Sequence, residues 1–294
     1  MSIFVRVEIQ MSKKQKNNIQ APMGETTVLL HTCCAPCSSA IIEAMMQNGI
    51  TPVIYYCNPN IYPQEEYEIR KNECTRYAQA LGLEIVDADY DHENWLCEMK
   101  GLENEPERGG RCLKCFKLRL LRTARYARER GIKVITTTLA SSRWKSLDQI
   151  NEAGQWACDQ LGTVDGSRLG VEMVPPDDSK VERRISAVPL ASAKCSENIE
   201  AAMAPVSDEV NDGMPLGAVD GSRLGVEMVP PDDGKVIWWN QNWRKGGLQE
   251  RRNQILKEYD FYNQRYCGCE FSMPKDDLTS MQSSLTSDGI GSRE

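Results

Sequence analysis

Between residues 25 and 158 short apolar or β-branched runs alternate with helical stretches. That alternation restricts the chain to βαβ units around a parallel sheet. The strand signals lie at 26–31, 52–56, 83–88 and 133–139. Helical periodicity covers 38–48, 63–81, 111–130 and 146–160, with Gly49, Gly82 and Gly131 where helix ends belong. Residues 90–110 break the pattern into a charged, glycine-containing connection. After residue 235 the pattern resumes, with a strand signal at 236–239 and a helix at 248–258. The expected fold is α/β: a parallel sheet with flanking helices, Rossmann-like and three-layered, with a C-terminal helical and loop segment.

The alternation is interrupted once. Residues 162–181 (GTVDGSRLGVEMVPPDDSKV) recur at 217–236 with differences only at 163/218 and 179/234. Two near-identical copies do not make a solenoid, which stacks several units of regular period. The stretch between them is rich in Ala, Ser and Glu and poor in large apolar residues. We read 159–235 as a flexible, poorly ordered insertion in a catalytic domain made of 25–158 and 236–272. Residues 1–24 read as a disordered extension and 273–294 as a disordered tail.

The net charge of −7 belongs to the insertion. Residues 159–235 hold fifteen acids against seven bases, so the remaining chain sums to about +1. Bases concentrate at 111–130, where eight Arg or Lys face one acid, Glu129. A second basic group, Arg244, Lys245, Arg251 and Arg252, lies close to Trp238, Trp239 and Trp243. Bases interleaved with aromatics suit phosphate contact and base stacking, or else a solvated helix face over buried tryptophans. No run reaches the roughly 18 apolar residues of a membrane span, and the first twenty residues lack a signal-peptide core. The expectation is a cytoplasmic protein with no membrane partner.

Chemistry is concentrated in the cysteines. The chain has twelve, and only two histidines, His31 and His92. Sites needing several imidazoles are excluded, and a bound metal must be held mainly by sulfur, which favours zinc or iron–sulfur. Cys33, Cys34 and Cys37 stand where the first strand enters a turn, the place where open α/β sheets bind ligands. Cys112 and Cys115 open a helix, one turn apart, where the helix N-terminus favours thiolates. Cys33, Cys34, Cys112 and Cys115 make a four-sulfur set for a [4Fe–4S] cluster or a tetrahedral zinc; adjacent cysteines favour iron. Cys37 is a candidate additional ligand. Cys267-Gly268-Cys269 can close a small, strained, easily reduced disulfide ring, offer a second ligand pair, or stand as two unlinked thiols near the tail. No Gly-x-Gly-x-x-Gly follows a strand, so no bound nicotinamide is indicated. Tyr90, Asp91 and His92 are candidate proton donors at a strand end.

Taken in order, His31-Thr-Cys-Cys-Ala-Pro-Cys37, Tyr55-Tyr-Cys-Asn-Pro-Asn60, Arg111-Cys-Leu-Lys-Cys-Phe116, Thr136-Thr-Thr-Leu-Ala-Ser-Ser142, Trp243-Arg-Lys-Gly-Gly247 and Tyr266-Cys-Gly-Cys-Glu-Phe-Ser272 resemble the cobalamin-independent epoxyqueuosine reductase family QueH. The resemblance implies two-electron reduction of the epoxide of epoxyqueuosine at the wobble position of a tRNA, giving queuosine. It implies a [4Fe–4S] cluster on Cys33, Cys34, Cys112 and Cys115 and a redox-active disulfide between Cys267 and Cys269. It also admits a further iron, which Cys37 would serve. The partners are then a tRNA carrying epoxyqueuosine and an unidentified electron donor. Two other readings use the same residues: a cluster-dependent tRNA thiolation enzyme, which lacks its Ser-Gly-Gly-x-Asp-Ser loop here, and a non-catalytic zinc module that holds RNA.

Overall fold

Five parallel strands run side by side in the order β3-β2-β1-β4-β5, in a computed structural model that describes residues 18–88, 90–162 and 234–274. They are β1 (Thr27–His31), β2 (Thr51–Tyr56), β3 (Ile85–Asp87), β4 (Val134–Thr137) and β5 (Ile237–Trp238). Helices α1 (Ala35–Gln47), α2 (Gln64–Ala80), α3 (His92–Met99), α4 (Gly110–Glu129), α5 (Leu147–Gly162) and α6 (Leu248–Glu258) connect and flank them. The architecture is the expected α/β one. β1 is central because Val28, Leu29 and Leu30 are apolar without alternation and are buried on both faces. Leu29 pairs with Val53 on one side and Ile135 on the other; His31 pairs with Tyr55 and Thr137.

From β1 the chain continues to β2 on one side, and it reaches β4 on the other. The strand order therefore reverses between β1 and β4, and a crevice opens beyond their carboxyl ends. The cysteine loop leaves β1 there, and a 3-10 turn at Thr138–Ser141 leaves β4.

The segment after residue 233 joins the same sheet. Ile237 N–H donates to the Lys133 carbonyl at 2.8 Å and Trp239 N–H to that of Ile135 at 2.9 Å. The Trp238 ring lies against Gly154 of α5, where a Cβ would come within 2.2 Å of it, so the position admits only glycine. α6 packs on α1. Arg251 there grips the buried Glu43 carboxylate through Nε and Nη2, at 2.7 and 2.9 Å.

Element boundaries differ from the sequence pattern in three places. α1 starts at Ala35 instead of Ser38 because Pro36 sits in its first turn, where a missing N–H costs nothing. Cys37 therefore lies on the helix. Helix α3 forms inside the 90–110 connection and buries His92, Trp95 and Met99. Chain order also begins earlier than expected: Ile19 and Ala21 are buried, and Ile19 N–H donates to Asn48 Oδ1 at 3.2 Å. Most of the expected extension, the repeat-bearing insertion and the expected tail fall at 1–17, 163–233 and 275–294, outside the described residues.

Candidate active site

The cysteine loop is fixed from beneath by a buried polar network. His31 Nε2 lies 3.0 Å from the Cys57 carbonyl and Nδ1 2.7 Å from Thr137 Oγ1. A carbonyl only accepts, so Nε2 carries the proton and Nδ1 accepts from the threonine. Burial, and after it the Arg119 charge, lower the His31 pKa to about 3, so the ring is neutral. Arg119 Nε donates to the same Cys57 carbonyl at 3.2 Å and Nη2 to Asn58 Oδ1 at 2.5 Å. Asn58 Nδ2 in turn donates to the Thr32 carbonyl at 2.9 Å. The ends of β1, β2 and β4 are thus tied together directly under the thiols.

Cys33, Cys34 and Cys37 bring their sulfurs within 4.8 Å of one another. Cys33 and Cys34 Sγ are 3.9 Å apart. Two sulfurs on one tetrahedral ion ~2.3 Å away lie ~3.8 Å apart, so the spacing fits a thiophilic metal. Hydrogen bonds from Cys34 and Cys37 hold the Cys33 thiol well below its ordinary value, against desolvation and with help from Thr138. Burial pushes Cys34 up, and the hydrogen bond to Cys33 pushes Cys37 up to about 12. One sulfur is predisposed to be thiolate, with two protonated neighbours whose protons a bound metal displaces. The Gln264 amide nitrogen caps the trio, 3.0 Å from Cys34 Sγ and 3.5 Å from Cys37 Sγ.

Cys33 and Cys37 open onto a cavity of about 840 Å³, a volume within the range of small-molecule sites. Cys112 and Cys267 line the same cavity. Cys112 stands on the first turn of α4 and its Sγ accepts from Arg108 N–H at 3.3 Å. Cys115, one turn further, is buried among Trp95, Met99 and Cys269, and its Sγ accepts from the Trp95 indole at 3.4 Å. Of the expected four-sulfur set, Cys33 and Cys34 are therefore adjacent, Cys112 shares the cavity with Cys33 alone of the two, and Cys115 faces α3. The tightest grouping instead includes Cys37.

Cys267 and Cys269 are both free thiols. Cys267 faces the cavity, whereas Cys269 is buried beside Cys115. Gly268 between them has φ 101°, and a Cβ would meet Ile61 Cγ1 at 2.8 Å. The segment is clamped to the start of α2. Tyr62 N–H donates to the Gly268 carbonyl at 2.8 Å. Arg70, paired with buried Glu66 at 2.6 Å, donates to the carbonyls of Tyr266 and Cys267. Desolvation would raise the Cys267 thiol, but the Lys145 ammonium, the Cys269 backbone N–H and Arg119 outweigh it and hold it below its ordinary value. Burial, and then the charge of Cys267, push Cys269 up to about 12.

Two sequence expectations are corrected here. Tyr90, Asp91 and His92 do not line the cavity. The Tyr90 hydroxyl donates to the Ile61 carbonyl at 2.7 Å, and His92 Nδ1 is bound to that of Pro59. The basic run of α4 does not form one free stripe: Arg111 and Arg119 are buried on loop carbonyls, Arg122 holds the Ala88 carbonyl, Lys117 pairs with Glu152 at the surface, and Arg128 and Arg130 stay exposed. Trp238, Trp239 and Trp243 are buried packing residues, which is the second of the two readings that the sequence left open for them. Sequence reasoning missed Trp144, Lys145, Asn60 and Gln149 on the cavity wall. Asn60 Oδ1, Gln149 Oε1 and Gln264 Oε1 are buried there with no partner among the described residues, which leaves them for a polar ligand.

Among the described residues no helix is long and apolar enough to cross a membrane. The family model described as epoxyqueuosine reductase QueH matches residues 28–165 and 224–275. Several proteins named epoxyqueuosine reductase QueH are similar to this chain over most of their lengths. That of Histophilus somni is 35% identical over 255 residues, covering 87% of this chain and 75% of the relative. That of Acinetobacter baylyi is 32% identical over 260 residues, covering 88% and 86%. The Thermotoga maritima relative is 24% identical over 250 residues, covering 84% and 90%. With the matched segments spanning the cysteine loop, the start of α4 and the Cys-Gly-Cys turn that meet at one cavity, the chain belongs to the epoxyqueuosine reductase QueH family.

Proposed function

We propose that this chain reduces the epoxide of epoxyqueuosine in tRNA to queuosine. The observation that carries the reading is the meeting of Cys33, Cys37, Cys112 and Cys267 on one cavity in a QueH-family chain. Removing the epoxide oxygen as water takes two electrons and two protons and leaves a carbon–carbon double bond in the ring. Joining two thiols as a disulfide releases two electrons and two protons. Cys267 and Cys269 would balance the reaction in this way, and an electron donor would return them to thiols.

Cys33, Cys34, Cys112 and Cys115 would hold a [4Fe–4S] cluster, with Cys37 left to serve a further iron. The close sulfur spacing and the acidic Cys33 support metal binding at the loop. A bound cluster supplies single-electron transfer between the thiol pair and the substrate. Around it the protein's own residues do the rest. His31 and Arg119 fix the loop, and Lys145 keeps a proton beside Cys267, its pKa raised by the negative charge of Cys267 and Cys33 against the lowering effect of burial. Asn60, Gln149 and Gln264 offer hydrogen bonds to the ring hydroxyls or the base. The reaction belongs in the cytoplasm, where tRNA is modified.

The test is anaerobic purification with iron and sulfide analysis, then incubation with reductant and tRNA carrying epoxyqueuosine. Loss of one oxygen from the nucleoside, read by mass spectrometry, is the expected result. AMP production with sulfur gained by the tRNA would replace the reading with thiolation. A colourless protein with one zinc and no deoxygenation would replace it with an RNA-holding module.

A further inference from the structure

Trp144 is 79% exposed, the most exposed large apolar side chain among the described residues, and it lies on the wall of the cavity that Cys33, Cys112 and Cys267 share. An isolated exposed apolar residue on a loose loop means little. This one is held. Arg108 Nη2 donates to the Arg143 carbonyl at 3.0 Å and Nε to the Trp144 carbonyl at 2.9 Å. Arg244 donates to the Lys145 carbonyl at 2.8 Å, and Trp144 N–H to Ser142 Oγ at 3.3 Å. Three consecutive carbonyls are thus capped by arginine side chains. Arg108 itself adopts φ 67°, an uncommon conformation for a residue with a side chain, to reach them. A rigid backbone presents a bare indole at the mouth of the site, with the exposed Arg143 next to it.

We propose that Trp144 is a stacking platform for a nucleobase of the RNA substrate. The base next to the modified nucleotide lies on the indole while the modified one enters the cavity, and Arg143 meets a phosphate. The proposal rests on the tRNA reading above. Its chemistry is that of single-stranded loops, whose splayed bases are held on aromatic faces with basic groups along the backbone. Trp238, Trp239 and Trp243 are buried in the core and cannot serve. The indole carries no charge, so its contribution is insensitive to salt, unlike that of a phosphate contact.

The holoenzyme, kept anaerobic, is titrated with the anticodon stem-loop of the substrate tRNA, and KM and kcat are measured on the full tRNA. Trp144→Ala is expected to raise Kd and KM by about 5- to 100-fold, the range for losing one stacking partner. The defect should appear in KM more than in kcat, with iron content unchanged and most of the affinity restored in Trp144→Phe. The salt slope of Trp144→Ala should equal that of the wild type, whereas Arg143→Ala should lower it by about one. A Trp144→Ala affinity within twofold of the wild type would overturn the platform and leave the tRNA reading standing. So would sedimentation showing that Trp144→Ala splits a dimer while RNA affinity stays unchanged, since the indole would then cover a second copy. Failure of the wild type itself to hold the stem-loop would overturn both.

Discussion

At the scale of single residues, two pKa perturbations make opposite and checkable statements. Cys267 is held below the ordinary thiol value by Lys145, while Cys269 two residues on is pushed up to about 12. Alkylation follows the thiolate fraction. In the reduced, metal-free protein at neutral pH, iodoacetamide should therefore modify Cys267 well before Cys269. Lys145→Met should slow the Cys267 reaction several-fold and shift its pH profile upward. Equal labelling of the two thiols in peptide maps would contradict this. His31 works through stability. Its folded pKa, about 3, lies below the unfolded value of 6.5, so between these pH values only the unfolded chain takes up the proton. The neutral ring's contribution is complete above pH 6.5 and is lost as pH falls towards 3, by up to about 1.4 kcal/mol per pH unit. Urea unfolding of the metal-free wild type and His31→Gln should give a stability difference that shrinks as pH is lowered. A difference constant between pH 7 and 4 would place the stabilising role elsewhere.

At the scale of elements, what the sequence disclosed and what it withheld have physical causes. β1 and β4 were legible because both lack alternation: 28–30 is an unbroken apolar run and 134–137 a β-branched Val-Ile-Thr-Thr run, each short and followed by a helical pattern. Helix α6 was legible from its periodicity and matches residue for residue. Helix α3 was not, because only His92, Trp95 and Met99 carry its buried face and charged neighbours dilute them. The arginines of α4 misled for a related reason: composition reports charge, but not whether a guanidinium ends on solvent or on a loop carbonyl such as Cys57. The Glu43–Arg251 pair belongs to the same class, since residues 208 positions apart show no pattern. Glu43 is buried on α1, and among the described residues α6 supplies the cation that pairs with it. Arg251→Met should leave that carboxylate unpaired and cost about 3 kcal/mol, read as a lower urea midpoint. Glu43→Met with Arg251→Met should recover most of the loss. A double variant as weak as the single one would mean that the pair orients the helices beyond neutralising a buried charge.

At the scale of the whole molecule, three regions far apart in the chain supply one cavity. The loop after β1 gives Cys33 and the first turn of α1 Cys37, the start of α4 gives Cys112, and the turn beyond α6 gives Cys267. The sequence could name these groups because each holds thiols at short spacing, but it could not show that Cys37 joins Cys33 and Cys34 more tightly than Cys115 does. That distinction depends on where α1 begins and on Trp95 taking the Cys115 sulfur. The closing contacts explain how the last of these regions arrives. β5 hydrogen-bonds to β4, Thr136 Oγ1 donates to the Trp239 carbonyl at 3.0 Å, Trp238 fills the space above Gly154, and Arg244 holds the Lys145 carbonyl. Each of these bonds joins two residues outside 163–233. We therefore expect that replacing 163–233 by a Gly/Ser linker of about 12 residues, with an average reach of ~20 Å, leaves the sheet, the metal content and the thermal midpoint near those of the full chain. Iron analysis and a melting curve on the two proteins read the outcome. Should the shortened chain lose its iron, the replaced residues would have to contribute to the site, and a catalytic domain built from 25–158 and 236–272 alone would be the wrong division.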